Sequence, residues 1–294
     1  MSQPPVPFFL DIVRRALAED LTFGDITTTA LFPKPHPARA SIMARHPMVV
    51  AGIAVARAVF LAVDPSLKIR RAIRDGQSVR DATSVLAAEG DGRSLLMAER
   101  VALNFLQRLS GIATLTQQFC EQVHGFPTHI LDTRKTTPGL RTLEKWAVRL
   151  GGGHNHRFTL SDGLLIKDNH LALLRAEGSD LRDACRRART AGPHGLRVIV
   201  EAQTLDDVKQ AINGKADVIL LDNMTPSLVR AAVEIVKGRA LIEVSGGITL
   251  ANARDMAQAG ADFLSIGALT HSAPAADLSM DLTSLVKQSR STRT

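Results

Sequence analysis

Two adjacent cations, Arg134 and Lys135, follow the apolar pair Ile130-Leu131 in the segment Asp132-Thr133-Arg134-Lys135-Thr136-Thr137-Pro138. A second basic group, His154-Asn155-His156-Arg157, stands behind the triple glycine Gly151-Gly152-Gly153, and Lys167 ends the run Leu164-Leu165-Ile166. The guanidinium forks of Arg134 and Arg157 suit carboxylates gripped by two parallel hydrogen bonds, and Lys135 and Lys167 add compact point charges. His156 could donate to an oxygen or position a neighbour. Two carboxylates occupy similar places: Glu201 after Val198-Ile199-Val200, and Asp222 after Val218-Ile219-Leu220-Leu221. Such groups take sugar hydroxyls or share a Mg²⁺ held through oxygen and water. An ion pair with a nearby lysine or arginine would explain either one equally well. Ser245-Gly246-Gly247 and Ser265-Ile266-Gly267-Ala268 come last. Their glycines let backbone N–H groups approach an anion, and Ser245-Gly246-Gly247-Ile248-Thr249 is expected to open a helix whose N-terminus favours negative charge. The set suits a small polyanion that carries phosphate and carboxylate. No Ser/His/Asp order and no zinc spacing stands out, which argues against hydrolytic and zinc chemistry.

These residues need a scaffold that brings them together. After Gly125, short apolar runs each end in one of the polar groups above, and helical segments link them. The last four ends recur about every 22 residues, the length of one strand, one helix and their loops. Thr204 before Asp207 reads as a capping box, and Thr225 before Pro226 as a helix start. Alternating strands and helices predict a parallel sheet, and six such units predict closure into an α/β barrel, with an open doubly wound sheet as the alternative. In a barrel, the C-terminal strand ends form the active rim.

The first part reads differently. Phe8 to Asp20 has helical spacing, and Pro33, Pro35 and Pro37 mark a loop. Ala40 to Ala44, Leu67 to Ile73 and Val85 to Ala88 are expected strands, with a helix from Val55 to Val63. A helix from Leu95 to Val123, interrupted at Ser110-Gly111, leads out of this α+β domain. The expected division is 1–112, 113–272 and a last segment, 273–294.

Composition bounds the partners. Among 294 residues, 45% are hydrophobic and the net charge is +7. That suits an anionic partner, but aromatics are only 4%, tyrosine is absent and no basic run of nucleic-acid type appears, the arginine-rich segment Arg182 to Arg189 reading as an exposed helix face, which disfavours nucleic acid. The start, Met1-Ser2-Gln3-Pro4-Pro5, lacks a secretory pattern, and no apolar run has membrane-span length, so a cytoplasmic protein is expected. Cys120 and Cys185 lie far apart without metal spacing and read as buried free thiols.

The run LDTRKTTPGLRTLEKWAVRLGGGHNHRFTLSDGLLIKDNH resembles the core signature of quinolinate phosphoribosyltransferases, also called nicotinate-nucleotide pyrophosphorylases (carboxylating). ALAEDLTFGDITT, AERVALNFLQRLSGIATLT, VEAQTLDD, ADVILLDNM, EVSGGIT and DFLSIGALTHS agree with that family, in order along nearly the whole chain. A paralogous phosphoribosyltransferase-like protein associated with molybdate uptake carries a DTRKT-like run too. Asn155-His156-Arg157 and Ile166-Lys167-Asp168-Asn169-His170 fit the quinolinate enzymes better. A phosphate-sensing or nucleic-acid-binding relative without catalysis is the rival from another class, and the intact Arg134, Lys135, Lys167, Glu201 and Asp222 argue against it.

The resemblance implies an N-terminal α/β sandwich, an irregular α/β barrel of the type II phosphoribosyltransferase kind, and last residues that return to the first domain. It implies a homodimer, or a larger assembly, in which Arg100 reaches the partner's site. Quinolinate would be held by Arg134, His156, Arg157 and Lys167 with the partner's Arg100. Lys135 would face phosphoribosyl pyrophosphate. Glu201 and Asp222 would take ribose hydroxyls and Mg²⁺. Ser245, Gly246, Gly247, Gly267 and Ala268 would cradle the 5′-phosphate, with Thr133 and Ile266 beside the substrates. Lys135, Lys167, Glu201 and Asp222 would carry the catalysis, without an organic cofactor.

Overall fold

The computed structural model describes residues 6–286. Residues 1–5 and 287–294, which belong to the expected first and last segments, lie outside the described residues. Contacts divide the chain into two units. One comprises Met1–Leu115, Thr137–Gly151 and Ala273–Thr294, the other Thr116–Thr136 and Gly152–Ser272.

The first unit begins with helices α1 (Val6–Asp20) and α2 (Ile26–Leu31). Strand β1 (Pro37–Ala44) alternates, with Ala38, Ala40, Ile42 and Ala44 buried and their neighbours facing out, as a half-covered strand must. β2 (Met48–Val49) pairs with β4 (Ser78–Val79) apart from the main sheet. Between them lie helix α3 (Ile53–Val63) and strand β3 (Lys68–Ala72). The start of α3 is capped from a distance: Asp75 accepts from the backbone N–H groups of Gly52, Ile53 and Ala54 at 2.6, 2.9 and 3.3 Å. After β5 (Ser84–Asp91) comes the 31-residue helix α4 (Gly92–Gln122), followed later by α5 (Arg141–Leu150). The four-stranded sheet has the order β12-β1-β5-β3, its pairs all antiparallel, where β12 (Leu278–Ser284) is the last strand among the described residues.

Helix α4 corrects one expectation. It runs without a break through Ser110 and Gly111. The Ser110 hydroxyl is occupied by the Ala51 backbone, accepting from its N–H at 3.0 Å and donating to its carbonyl at 3.2 Å. Gly111 is there for contact, because a Cβ at that position would lie 2.0 Å from the Pro274 carbonyl oxygen. The residue that looked like a helix breaker lets the chain's final segment pass close over the helix.

The second unit is parallel. Its strands are β6 (His129–Leu131), β7 (Leu164–Ile166), β8 (Val198–Ala202), β9 (Val218–Asp222), β10 (Leu241–Ser245) and β11 (Phe263–Ser265). Between and after them come α6 (Asp168–Ala176), α7 (Leu181–Ala191), α8 (Leu205–Asn213), α9 (Pro226–Val236), α10 (Ala253–Gln258) and α11 (Ala268–His271). The sheet order is β6-β11-β10-β9-β8-β7. Each strand from β7 to β11 lies beside the next, and the first strand lies beside the last. Such an order describes a barrel opened at one seam, between β6 and β7, where no ladder pairs the strands among the described residues. The expected irregular barrel takes this form. The expected helix starts hold as well. Thr204 and Asp207 form a reciprocal capping box, and Thr225 caps a helix with Pro226 in its first turn.

At the N-terminal ends of the strands, two aspartates tie neighbouring strands together. Asp217 accepts from Val198 N–H at 2.7 Å, and Asp262 from Ile242 N–H at 2.7 Å. Burial pushes the Asp217 carboxyl up, but the Val198 N–H and the Arg189 guanidinium hold it below the usual aspartate range.

Candidate active site

The strand ladders explain why the polar strand ends meet. Ile166 pairs with Val200, so Lys167 and Glu201 are the next residues out on adjacent strands. Glu201 pairs with Leu220, and Asp222 lies two residues further along the same face. Asp222 pairs with Ser245, Ser245 with Ser265, and Ser265 with Leu131. Alternation does the rest. Val198, Val200 and Ala202 of β8 are buried, whereas Ile199 and Glu201 on its other face are partly open. One period-two pattern thus sends apolar residues into the core and the polar groups to the opposite face.

The cationic side has unused capacity. Arg134 Nε is buried and has no hydrogen-bond partner. A buried donor left unpaired costs about 1–3 kcal/mol, so its retention calls for an acceptor from outside. Arg157 donates from Nη1 to the Gly163 carbonyl at 3.0 Å. Burial, then the nearby Arg134 cation, pulls its guanidinium below the usual arginine value, while Glu201 and Asp162 oppose them. Two guanidiniums close enough to repel, one with a free donor, suit an anion better than either suits the other. Lys167 Nζ lies 3.6 Å from Glu201 Oε1, and the other Glu201 oxygen accepts from Asp168 N–H at 3.2 Å. The ion pair considered for Glu201 therefore exists, with Lys167 still 45% exposed.

Lys135 approaches the last glycine turn, because a Cβ at Gly267 would lie 3.1 Å from Lys135 Cδ. The Thr270 hydroxyl fixes this approach by donating to the Lys135 carbonyl at 2.8 Å. Thr133 Oγ1 accepts from Lys135 N–H at 3.1 Å, so Thr133 shapes the turn. Ile266 N–H donates to the Leu131 carbonyl, which joins the turn to β6. Ser245 and Gly246 are half-buried and Gly247 is exposed. Gly246 has φ +85° and Gly247 φ +63°, and a Cβ on Gly246 would strike the Asn223 side chain at 2.2 Å. Asn223 in turn donates to Asp222 at 3.0 Å. The glycine turn and the carboxylate are thus packed on one asparagine. Helix α10 starts only at Ala253, so the expectation that Gly246-Gly247 opens a helix is corrected: the loop's own backbone turns there, and Asn252 bridges Thr249 N–H and the Gly247 carbonyl.

Two buried carboxylates beside these residues escaped sequence reasoning. Asp132, fully buried, accepts from Asn155 Nδ2 at 2.5 Å and from His156 N–H at 2.9 Å. Glu243, 2% exposed, faces His156 Nε2 at 3.5 Å and accepts from the Ser265 hydroxyl. A carboxylate between Ile242 and Val244 was the available signal for Glu243. Arg100 is exposed on α4, in the first unit.

Models of the two domains of quinolinate phosphoribosyl transferase match the chain, the N-terminal domain at residues 25–110 and the C-terminal domain at residues 112–281. The chain belongs to the quinolinate phosphoribosyltransferase family. A probable nicotinate-nucleotide pyrophosphorylase (carboxylating) of Bacillus subtilis is 41% identical over 265 residues, 90% of each chain. A mitochondrial quinolinate phosphoribosyltransferase (decarboxylating) of Nicotiana tabacum is 37% identical, over 92% of this chain and 81% of its own. The crystal structure of NadC from Streptococcus pyogenes superposes with a TM-score of 0.91 at 39% identity, covering 97% of this chain and all of that one. Members of the family thus share the antiparallel first unit and the parallel second unit along nearly their whole length.

Proposed function

We propose that the parallel unit's rim performs the family's reaction with the residues described above. The activity is quinolinate phosphoribosyl transfer with decarboxylation, the pentosyltransferase step of de novo NAD synthesis. The observation that carries the site assignment is the buried, unpartnered Arg134 Nε beside a second guanidinium. Quinolinate is a dianion at neutral pH, and its two carboxylates offer that donor the acceptor it lacks. Arg134, Arg157 and Lys167 grip the carboxylates, with His156 set among them and the partner's Arg100 completing the grip in a homodimer. Lys135, Thr133 and the turns Ser245-Gly246-Gly247 and Ile266-Gly267-Ala268 hold the phosphoribosyl pyrophosphate by its anionic groups. Glu201 and Asp222, on one face of adjacent strands, take the ribose hydroxyls.

Glu201 and Asp222 also suit Mg²⁺. No group of three or more metal-ligating side chains exists among the described residues. Two carboxylates fit an ion that keeps water and takes most of its oxygens from substrate phosphates, and that ion would neutralise the departing pyrophosphate. Bond formation joins the pyridine nitrogen to ribose C1 while the C1–pyrophosphate bond breaks. Positive charge develops at C1, and the Glu201 and Asp222 carboxylates stabilise it. The alkylated ring nitrogen is cationic, and its charge stabilises the electron pair that stays on ring C2 when carbon dioxide departs. A solvent proton then fills that position. Holding both reactants in line removes most of the entropic barrier.

The two free thiols suit a reducing compartment such as the cytoplasm. The assay follows pyrophosphate and carbon dioxide together, with quinolinate, phosphoribosyl pyrophosphate and Mg²⁺. Equal release that needs quinolinate, is not supported by nicotinate and stops in excess chelator is expected. Release with nicotinate would refute the substrate assignment.

A further inference from the structure

We infer that Glu243 is a positioning residue for quinolinate binding, acting through His156 on Arg157. The inference rests on the proposed role of the rim, and the groups involved all lie in the parallel unit.

The argument begins with an expense. A carboxylate 2% exposed on a strand between Ile242 and Val244 is costly to bury, and an apolar side chain there would often serve the fold as well or better. Its surroundings show what it does. Its Oε1 accepts from the Ser265 hydroxyl on the neighbouring strand, which fixes that oxygen. The same oxygen faces His156 Nε2 at 3.5 Å. On the other side of the ring, Nδ1 accepts from Arg157 N–H at 2.8 Å. An amide N–H can only donate, so Nδ1 carries no proton, and Nε2 bears the ring hydrogen towards Glu243.

Nδ1 is thus bonded inside the protein, and Nε2 faces the Glu243 carboxylate. His156 serves as a strut: one end rests on Glu243 and the other holds the backbone of Arg157. Asp132 completes the device by accepting from His156 N–H at 2.9 Å. His154 is bonded to the end of strand β6 by backbone hydrogen bonds with Ile130 and Asp132, and beyond it the contacts of His156 fix the path of the chain to Arg157. Small displacements of a binding group far exceed what a bidentate contact tolerates, which makes the strut a determinant of quinolinate affinity.

The full-length protein tests this with two substitutions and one spectrum. Glu243→Leu removes the acceptor while filling the space. Its KM for quinolinate should rise about tenfold or more, its KM for phosphoribosyl pyrophosphate should stay within about twofold, and its thermal midpoint should not fall. Glu243→Gln keeps an acceptor oxygen for Ser265 and His156 and should recover most of the quinolinate affinity. Parallel changes in both KM values, an unchanged quinolinate KM in folded Glu243→Leu, or a Gln variant as impaired as the Leu variant would overturn the role. The ¹⁵N spectrum of the His156 ring in the wild-type protein reads the strut without any turnover. A protonated Nε2 with an unprotonated, hydrogen-bonded Nδ1 is expected, and the opposite tautomer would sink the inference. A correct tautomer in a protein that ignores quinolinate would refute the proposed function alone.

Discussion

The two ends of the parallel sheet use their charged groups in opposite ways. At the N-terminal strand ends, Asp217 and Asp262 are committed to the backbone: each accepts an N–H at the start of a neighbouring strand. At the C-terminal ends, charge is held in reserve. Arg134 keeps a buried donor without a partner, and Lys167 touches a single carboxylate oxygen at 3.6 Å while half open to solvent. One end is finished by folding, and under the proposed function the other is finished by a ligand. A barrel separates stability from chemistry in this manner because the strand direction sorts its polar groups.

The largest expected effect tests whether the reserve end is complete within one chain. Arg100→Ala should abolish turnover, and mixing it with Arg134→Ala should restore about a quarter of wild-type activity through hybrid dimers with one intact site. Failure of mixed dimers to regain activity would show that each chain completes its own rim. Lys167→Ala comes next. Loss of a charge-assisted contact should lower kcat/KM for quinolinate by roughly 10- to 100-fold and spare phosphoribosyl pyrophosphate; equal losses for both substrates would remove Lys167 from the carboxylate grip.

At the committed end the signature should be the reverse. Asp262→Ala leaves Ile242 N–H without its acceptor and should cost about 1–3 kcal/mol in urea denaturation, with both KM values unchanged. A kinetic defect without loss of stability would break the comparison. Asp217 sharpens it by pH. Its carboxyl is held low in the fold, so its contribution is present above the unfolded aspartate value and is lost as pH falls through the lowered one. Asp217→Asn should therefore flatten the acid side of the stability curve, and an unaltered acid limb in the variant would remove Asp217 from that role.

Most of the rim was legible in the sequence, for a plain reason. A short apolar run followed by one charged residue is what a buried strand and its exposed end look like, so Lys167, Glu201 and Asp222 announced themselves. Glu243 did not, because its burial depends on strands β9 and β11 flanking it, and a sequence shows only Ile242 and Val244. The clamp on Asn155 and His156 was hidden likewise, since Asp132 reads as one more polar strand end. Gly111 misled in the other direction. Its low helix propensity suggested a break, but the contact that decides its role comes from Pro274, far along the chain. Local rules find what local pattern determines, and these residues answer to distant partners.

The pairing of β1 with β12 has a consequence for how the chain is made. Ala38 lies opposite Ser284, and Ala44 opposite Leu278. Synthesis runs from the N-terminus, so β1 and β5 emerge long before the strand that covers the other side of β1. Throughout synthesis of the parallel unit, β1 is an open edge, able to pair with any exposed strand it meets. The nascent first unit is thus the period of greatest exposure to aggregation, and removing β12 would prolong that exposure for the life of the protein.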